Sequence, residues 1–324
     1  LRALSVRPRA RLRWSALETI DTAPLAVRVL GRMGCGPRPG DVEAFTALGA
    51  TDTARVAAHV EQQLDPAGID DGALEARLAA AGLTTLAKPL PQLWAEHVAN
   101  DPDWYTRLRP AIETERATFL RALYSRRQLV EVLADFWHDH FNVYGWDYIS
   151  APTWVHYDRD VIRGNMLGNF RQMLEAVAGS PAMLVYLDNY TSSVAGPNEN
   201  FARELFELHA LGAENYLGVI PPGEVPHDPQ GRPVGYTDND VYEATRCFTG
   251  WTYDKYTGAT VLRADWHDRF QKSVLGHWIA PNQPPFKDGR DVLDLLAGHP
   301  GTARFIAGKL CRRLIADDPP AGVV

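Results

Sequence analysis

Acid, base and amide side chains are concentrated in the segment Asn198–His209. Its sequence, NENFARELFELH, holds three carboxylates, one arginine, two amides and one histidine within about three helical turns. Glu199 and Arg203 have the i, i+4 spacing of an ordinary surface ion pair. Glu204 lies on a different stripe, where Asp188 of the preceding loop could face it, and two such carboxylates can act as general acid and base. The alternative is that this stripe is solvated, and the spacing supports both interpretations.

A second segment, Glu131–Asn142, has the residue types of a metal site. Its sequence is EVLADFWHDHFN. On a helix, Asp135 and His138 share one face at i, i+3, a spacing that lets two side chains hold one metal ion. His140 lies about 200° further round and joins that face only where the helix has ended. Asp135, His138 and His140 are therefore candidate ligands of a divalent metal ion such as zinc or iron. The alternative is that the aromatic residues form core and the histidines are hydrogen-bonded packing residues.

A third segment, Trp266–Lys272, places His267 beside Asp268 in the sequence WHDRFQK. A histidine next to an aspartate, with a lysine nearby, could orient a general base or bind an anion. Adjacent residues rarely point to the same side of a chain. A structural hydrogen-bonding role is therefore favoured for His267, with a catalytic role as the alternative.

Composition and missing motifs exclude several classes of protein. The net charge of −7 argues against a general nucleic-acid-binding protein, and no apolar run approaches the ~18 residues that a transmembrane segment needs. The sequence has no Gly-x-Ser-x-Gly elbow, phosphate-binding glycine-rich loop, dinucleotide fingerprint or His-Glu-x-x-His helix. Nucleotide hydrolysis, common nicotinamide chemistry and the main serine- and zinc-hydrolase classes are therefore disfavoured. The three distant cysteines, Cys35, Cys247 and Cys311, leave the redox compartment open.

Helical signals dominate the elements that must position these side chains. Polar capping residues precede apolar residues at three-to-four spacing along most of the chain. Thr237, for example, is predicted to cap a helix over Asp238–Phe248, with Asp240 in the capping-box position. Two short runs near 251–262 predict one small β-hairpin, and the five prolines of 218–235 predict a loop without regular structure of its own. We predict a mainly α protein built as an irregular multi-helix domain.

The chain divides into two predicted segments. Residues 1–25 carry five arginines in the first fourteen positions and are expected to be a disordered or linker segment. Residues 26–324 are predicted to form a single large helical domain. The chain has no initiator methionine and ends on PPAGVV directly after an apparent helix. We therefore expect both ends to be cut, with the domain truncated at its C-terminus.

Seven sequence blocks, in order, carry a family resemblance. They are DFWHDHFNV (135–143), YDRDVIR (157–163), SPAMLVYLDN (180–189), NENFAREL (198–205), the stretch 244–251 ending in FTGW, His267-Asp268 with Lys272, and RFIAGKLC (304–311). With these blocks the chain resembles a large bacterial family known as domain of unknown function 1800. The resemblance covers nearly the whole chain from about residue 26.

The resemblance implies a predominantly helical, exported protein of the periplasm or cell envelope, with another exported protein encoded nearby as a partner. It implies no established activity. The family more often has asparagine at the position of Asp139, and it admits an aromatic residue at that of His138, which weakens the Asp135–His138 chelate and favours His140. The loop 218–235 is longer than the turn that many members carry there, so a substrate preference specific to this protein is expected in it.

These observations lead to two hypotheses of different classes. In the first, an exported helical protein has a polar site built from His140, Asp188, Glu199, Arg203, Glu204 and His267. Its chemistry would be metal-assisted or acid/base hydrolysis of an envelope or extracellular polymer, and nine tryptophans and twelve tyrosines would suit a carbohydrate-like ligand. In the second, the cluster is a buried structural network, and the protein is a noncatalytic envelope or secretion-associated partner or binding protein.

Overall fold

The computed structural model describes residues 23–99 and 101–324, so residues 1–22 of the predicted N-terminal segment lie outside it. Within this part of the chain, fourteen α-helices and two small antiparallel hairpins make up most of the regular structure, so the protein is mainly α as predicted. The helices are α1 Leu25–Arg32, α2 Asp41–Ala47, α3 Asp52–Leu64, α4 Gly72–Ala80, α5 Leu90–His97, α6 Trp104–Tyr124, α7 Gln128–His140, α8 Ser150–His156, α9 Phe170–Ala178, α10 Pro181–Tyr186, α11 Asn200–Glu204, α12 Asp238–Phe248, α13 Lys287–Ala297 and α14 Pro300–Leu314.

Side-chain hydrogen bonds mark the starts of α12 and α11. The capping box before α12 is confirmed, because Thr237 Oγ1 accepts the Asp240 N–H at 3.3 Å while Asp240 Oδ2 accepts the Thr237 N–H at 2.9 Å. The helix that carries Glu204, α11, begins at Asn200. Asn198 Oδ1 accepts the N–H of Asn200 at 3.0 Å, which closes a turn ahead of α11 instead of capping the helix.

Two α-helices continue into π-helical segments. α8 is followed by Tyr157–Arg163 and α11 by Leu205–Ala210. In a π-helix each hydrogen bond spans one more residue than in an α-helix, so the side chains that follow rotate away from the face that a 3.6-residue period predicts. Segments of this kind are often found at functional sites, and both of these supply residues to the cavities described below.

The hairpin predicted near 251–262 is confirmed. Strand β1, Trp251–Tyr253, pairs with β2, Thr260–Leu262, and Trp251 lies opposite Leu262. The strands are three residues long, and the side chains of β1 are largely buried. This hairpin therefore packs as part of the helical domain, not as a separate sheet.

A second hairpin, formed by β3 (Lys272–Val274) and β4 (His277–Ile279), was not predicted. Its turn residues, Leu275 and Gly276, both have positive φ, at 50° and 73°. Such turns are usually recognised by Asn-Gly or Gly-Gly, so a leucine in the first position conceals the signal. The N–H of Leu275 donates to Asp240 Oδ1 of α12 at 2.7 Å, and this tertiary contact holds the turn.

One large apolar core joins the elements from α7 to α13. Its largest fully buried side chains include Phe141, Tyr157, Phe201 and Phe206, which belong to the segments that carry the candidate site residues. Residues 218–235 contain one short 3-10 turn, Pro222–Glu224, and otherwise no helix or strand. None of the described helices combines the length and the apolar character that crossing a membrane requires.

Candidate active site

The end of α7, the π-helical segment after α11 and the middle of α14 enclose a cavity of about 340 Å³, which we call the His140 cavity. It contains His140 and Glu204, two of the residues singled out from the sequence. The polar residues that line it are Asp139, His140, Asn142, Tyr186, Glu204, His209 and Lys309. The cavity therefore brings together carboxylic, imidazole and amine groups from three separate parts of the chain.

Two hydrogen bonds fix the His140 ring. Its Nε2 lies 3.1 Å from the backbone oxygen of His209, which can only accept, so Nε2 carries the proton. Its Nδ1 lies 2.8 Å from Nζ of Lys309 and accepts a hydrogen bond from that group. The ring is buried, and the neutral tautomer is thus set by a carbonyl on one side and an amine on the other.

Every shifted pKa in this cavity moves toward the neutral form of its group. Burial raises the pKa of the Asp139 and Glu204 carboxyls. Burial also lowers the pKa of the Lys309 amine, lowers that of His140 well below its ordinary value, and lowers that of His209 to about 3. The common cause is desolvation, which penalises the charged form of acids and bases alike. Clusters of shifted groups in a cleft are typical of functional sites.

His209 has an unused hydrogen-bonding atom. Its side chain is 3% exposed, and its Nδ1 has no partner among the described residues. An unsatisfied buried nitrogen costs about 1–3 kcal/mol, so it calls for an explanation such as a strained functional group or a ligand. His209 lines the cavity, so this unsatisfied nitrogen belongs to a residue of the candidate site.

A second cavity, of about 390 Å³, lies between α6, α7 and the loop that precedes α8; we call it the aromatic cavity. Three aromatic side chains line it, Phe119, Trp146 and Trp154. Five carboxylates line it as well: Glu115, Glu131, Asp135, Asp139 and Asp158. The cavity thus combines flat apolar walls with strongly acidic edges.

An ion-pair network forms the base of the aromatic cavity. Arg163 contacts Asp158 at 3.0 Å and Glu131 at 2.8 Å, and His138 Nε2 lies 3.0 Å from Asp158. Burial by itself would raise the pKa of Asp158, but the His138 hydrogen bond together with Arg163 and Arg121 lowers it to about 2. Asp158 is therefore ionised at neutral pH and accepts a hydrogen bond donated by His138 Nε2.

The two cavities share a wall. Asp139 and Asn142 line both of them. Asp135 lies one turn before Asp139 on α7, and its charge contributes, after burial, to the raised pKa of Asp139. A ligand larger than one cavity could therefore extend past Asp139 and contact both.

Four of the predicted catalytic residues lie outside both cavities, and three of these four, Asp188, Glu199 and Arg203, lie at the surface. Asp188 is exposed, with a left-handed φ of 57°, and it does not line either cavity. Glu199 and Arg203 form the surface ion pair that their spacing indicates, at 3.3 Å, and Arg203 also contacts Asp238 at 3.2 Å. The structure brings Glu204 to His140 and leaves Asp188, Glu199 and Arg203 at the surface of the same region.

His267 belongs to a separate buried network. Its Nδ1 lies 2.8 Å from the Thr249 backbone oxygen, and its Nε2 lies 3.2 Å from Asp288 Oδ2. Lys272, 1% exposed, donates to Asp288 at 2.5 Å. The sequence neighbour Asp268 does not pair with His267 but with Arg246, at 2.8 Å. These contacts tie the loop before β3 to α12 and α13, which is the arrangement that a structural role requires.

The three predicted metal ligands do not converge. His138 faces Asp158 at the aromatic cavity, whereas His140 faces His209 and Lys309 in the other cavity, because α7 continues through His140 and separates the two rings by about 200°. Asp135 lies with His138. Among the described residues, no three His, Cys, Asp or Glu side chains are grouped as a metal site would need.

Several residues of the site could not be predicted from the sequence. Lys309 is 169 positions from His140, so no local spacing could connect them. His209 is the last residue of the segment 198–209, but the period of an α-helix does not put it on the same face as Glu204. Asp139 was noted only as a departure from the resembled family. The family block RFIAGKLC (304–311), which contains Lys309, is the sequence feature that could have pointed to this lysine.

Comparison with known proteins identifies a family without identifying a function. The profile of a family described as "Protein of unknown function (DUF1800)" matches residues 28–324. No curated protein and no solved structure matches the chain. The chemistry of the site has to be inferred from the side chains that line it.

Proposed function

Because the chain belongs to the DUF1800 family, whose description assigns no activity, we propose from its own residues that it is an acid/base hydrolase. The proposed substrate is a carbohydrate-like polymer of the cell envelope or extracellular space, and the proposed active site is the His140 cavity. In this proposal the protein is exported, and Glu204, Asp139 and Lys309 carry the reaction.

The observation that carries this proposal is the set of shifted pKa values in one cavity. A carboxyl with a raised pKa keeps its proton nearer to neutral pH, and an amine with a lowered pKa gives its proton up more readily. Glu204 and Lys309 therefore both move toward the range in which acid and base catalysis is efficient. A surface cluster of the same residue types would keep the ordinary values.

Each of the three residues has a distinct role. Glu204, which makes no ion pair among the described residues, donates its proton to the leaving oxygen. Asp139, whose raised pKa makes it a stronger base than an ordinary aspartate, removes a proton from the attacking water. Lys309 donates a hydrogen bond to His140 Nδ1 and so holds the imidazole ring in place beside the two carboxyl groups.

Acid/base chemistry has more support than metal-assisted hydrolysis. The candidate ligands His138 and His140 have different partners in different cavities. The nitrogen of His140 that would bind a metal accepts a hydrogen bond from Lys309 instead. A metal at this position would have to displace a cation that is already hydrogen-bonded there.

A noncatalytic binding protein is the second candidate function. α6 and the loop before α8 expose several large apolar side chains, and surfaces of this kind often bind a partner. The exposed residues are Trp104, Tyr105, Phe119, Leu123, Tyr124, Tyr144, Trp146 and Tyr148. In this alternative the polar groups of the His140 cavity serve to fix the packing of α7 against α14.

The discriminating experiment compares Glu204→Gln with Glu199→Gln. Both changes replace one carboxyl group of the same segment by an amide, but Glu199 lies in the surface pair with Arg203. Purified variants are incubated with peptidoglycan sacculi and with chitosan, and the release of soluble reducing ends is measured. We expect Glu204→Gln to lose at least 100-fold in rate, with a melting temperature close to that of the unmodified protein, whereas Glu199→Gln stays active. A Glu204→Gln variant that loses stability, or that retains its rate, would contradict the proposal.

A further inference from the structure

The aromatic cavity has walls suited to a flat ring. Phe119 is 62% exposed and Trp146 is 40% exposed, although both are large aromatic residues, and Trp154 forms a third wall. Gly145 lies directly against the Trp154 ring, where a Cβ would come within 2.7 Å of it. The backbone thus fits closely around Trp154 and keeps the loop that carries Trp146 next to it.

The charges at this cavity are not balanced. Glu131 and Asp158 are paired with Arg163. Glu115, Asp135 and Asp139 line the cavity and form no ion pair within the described residues 23–99 and 101–324. A ligand that carries positive charge would provide these three carboxylates with an ion-pair partner. The faces of tryptophan rings also attract cations.

The cavity also borders the proposed active site. Asp139 and Asn142 belong to both cavities. On the far side, His209 is 3% exposed and its Nδ1 has no partner in the described chain. A ligand that fills the aromatic cavity and extends past Asp139 would reach the His140 cavity, which His209 also lines.

We propose that the aromatic cavity binds a positively charged amino-sugar unit of the substrate polymer and directs the adjacent glycosidic bond into the His140 cavity. The proposal rests on the function proposed above and adds the substrate class, a polymer of hexosamines with free amino groups. The ring stacks on the exposed Trp146, with Trp154 as a side wall, and its ammonium group faces Asp135 and Glu115. A basic peptide would satisfy the charge, but its flexible side chains would leave the flat walls without a matching surface.

The first test is direct binding of three hexasaccharides with the same backbone linkage. The hexamers of glucosamine, N-acetylglucosamine and glucose are titrated at low salt and pH 6, and binding is measured by calorimetry and by tryptophan fluorescence. We expect the glucosamine hexamer to bind at least tenfold more tightly than the other two and to change the fluorescence. Equal affinity for the three hexamers, or tighter binding of hexalysine than of the glucosamine hexamer, would overturn the proposal.

The second test uses matched variants. Asp135→Asn and Trp146→Ala are each expected to weaken binding of the glucosamine hexamer at least tenfold. Glu199→Gln, which makes the same change in net charge away from the cavity, is expected to bind as the unmodified protein does. Asp135 and Trp146 are both exposed, so the two variants should fold, and melting temperatures check this. Asp135→Glu keeps the negative charge and should therefore retain most of the affinity that Asp135→Asn loses.

A failure of this inference can be distinguished from a failure of the proposed function. Glu204→Gln should bind the glucosamine hexamer normally and fail to cleave it. If it binds and also cleaves at the normal rate, the catalytic assignment is wrong and the binding site stands. If the glucosamine hexamer does not bind while another polymer is cleaved in a Glu204-dependent way, the amino-sugar proposal is wrong and the hydrolase proposal stands.

Discussion

Lys309 of α14 donates a hydrogen bond of 2.8 Å to Nδ1 of His140 at the end of α7, although 169 positions separate the two residues. Both groups are shifted toward their neutral forms by burial. The charge of Lys309 further lowers the pKa of His140. This contact joins α7 to α14 at the cavity that we propose as the active site.

Lys309→Met tests this contact. Removing the ammonium should raise the pKa of His140, because a neighbouring positive charge disfavours its protonation, and should reduce the hydrolysis rate by at least tenfold. We expect the free energy of unfolding to change by about 1 kcal/mol only, since the lost hydrogen bond is offset by the relief of desolvation. The histidine titration is followed by NMR, with Lys287→Met on the surface of α13 as the control. An unchanged His140 titration would contradict the assignment.

Asp158 is expected to make stability fall in acid. Its pKa is lowered from 3.8 to about 2, so its contribution to stability is complete above the unfolded-state value and is lost as the pH falls from about 4 to 2. This pKa shift corresponds to a contribution of about 2 kcal/mol to the free energy of unfolding. Urea unfolding measured at pH 7, 4, 3 and 2.5 should show this loss.

The Asp158→Asn variant should lack that loss of stability in acid and should be less stable at pH 7 by about 3–5 kcal/mol, because it leaves Arg163 and Arg121 near an uncharged group. Asp160→Asn, on the same turn but exposed and paired with Arg159, is the control and should change stability by less than about 1 kcal/mol. Identical stability of the two variants would show that the network is not held by Asp158.

The network around His267 should matter for stability and not for activity. Lys272→Met leaves the buried Asp288 carboxylate without its closest cation and should cost about 3–5 kcal/mol in unfolding free energy. His267→Gln should keep its hydrolysis rate per folded molecule, because it lies in neither cavity. Denaturation curves and rate assays on the same preparations check both outcomes. A His267→Gln variant that folds normally but is inactive would return His267 to the list of catalytic residues.

Metal content is expected to be substoichiometric. The candidate ligands Asp135, His138 and His140 are divided between two cavities, and His140 Nδ1 already accepts a hydrogen bond. In protein purified without a histidine tag, elemental analysis should therefore find much less than one equivalent of any transition metal. Chelators should leave the melting temperature of this protein unchanged. One equivalent of bound zinc or iron, lost together with stability on chelation, would restore the metal-assisted mechanism.

Local patterns predicted the elements well because their causes are local. The capping box at Thr237 and the helical period over Asp238–Phe248 depend on residues three or four positions apart. The β1–β2 hairpin shows the same agreement. The β3–β4 hairpin was missed because Leu275 takes a positive φ in a turn held by Asp240 of another element.

The amino-acid sequence by itself determined the helical class, the family and the segments that carry the chemistry, since composition, capping and periodicity are properties of neighbouring residues. Only the tertiary structure decided which of those side chains meet. Glu204 joins His140 and Lys309 in one cavity, while Glu199, one turn earlier, stays at the surface. The physical reason is that burial, which shifts each pKa in the cavity, arises from packing between α7, α14 and a π-helical segment that are distant in sequence.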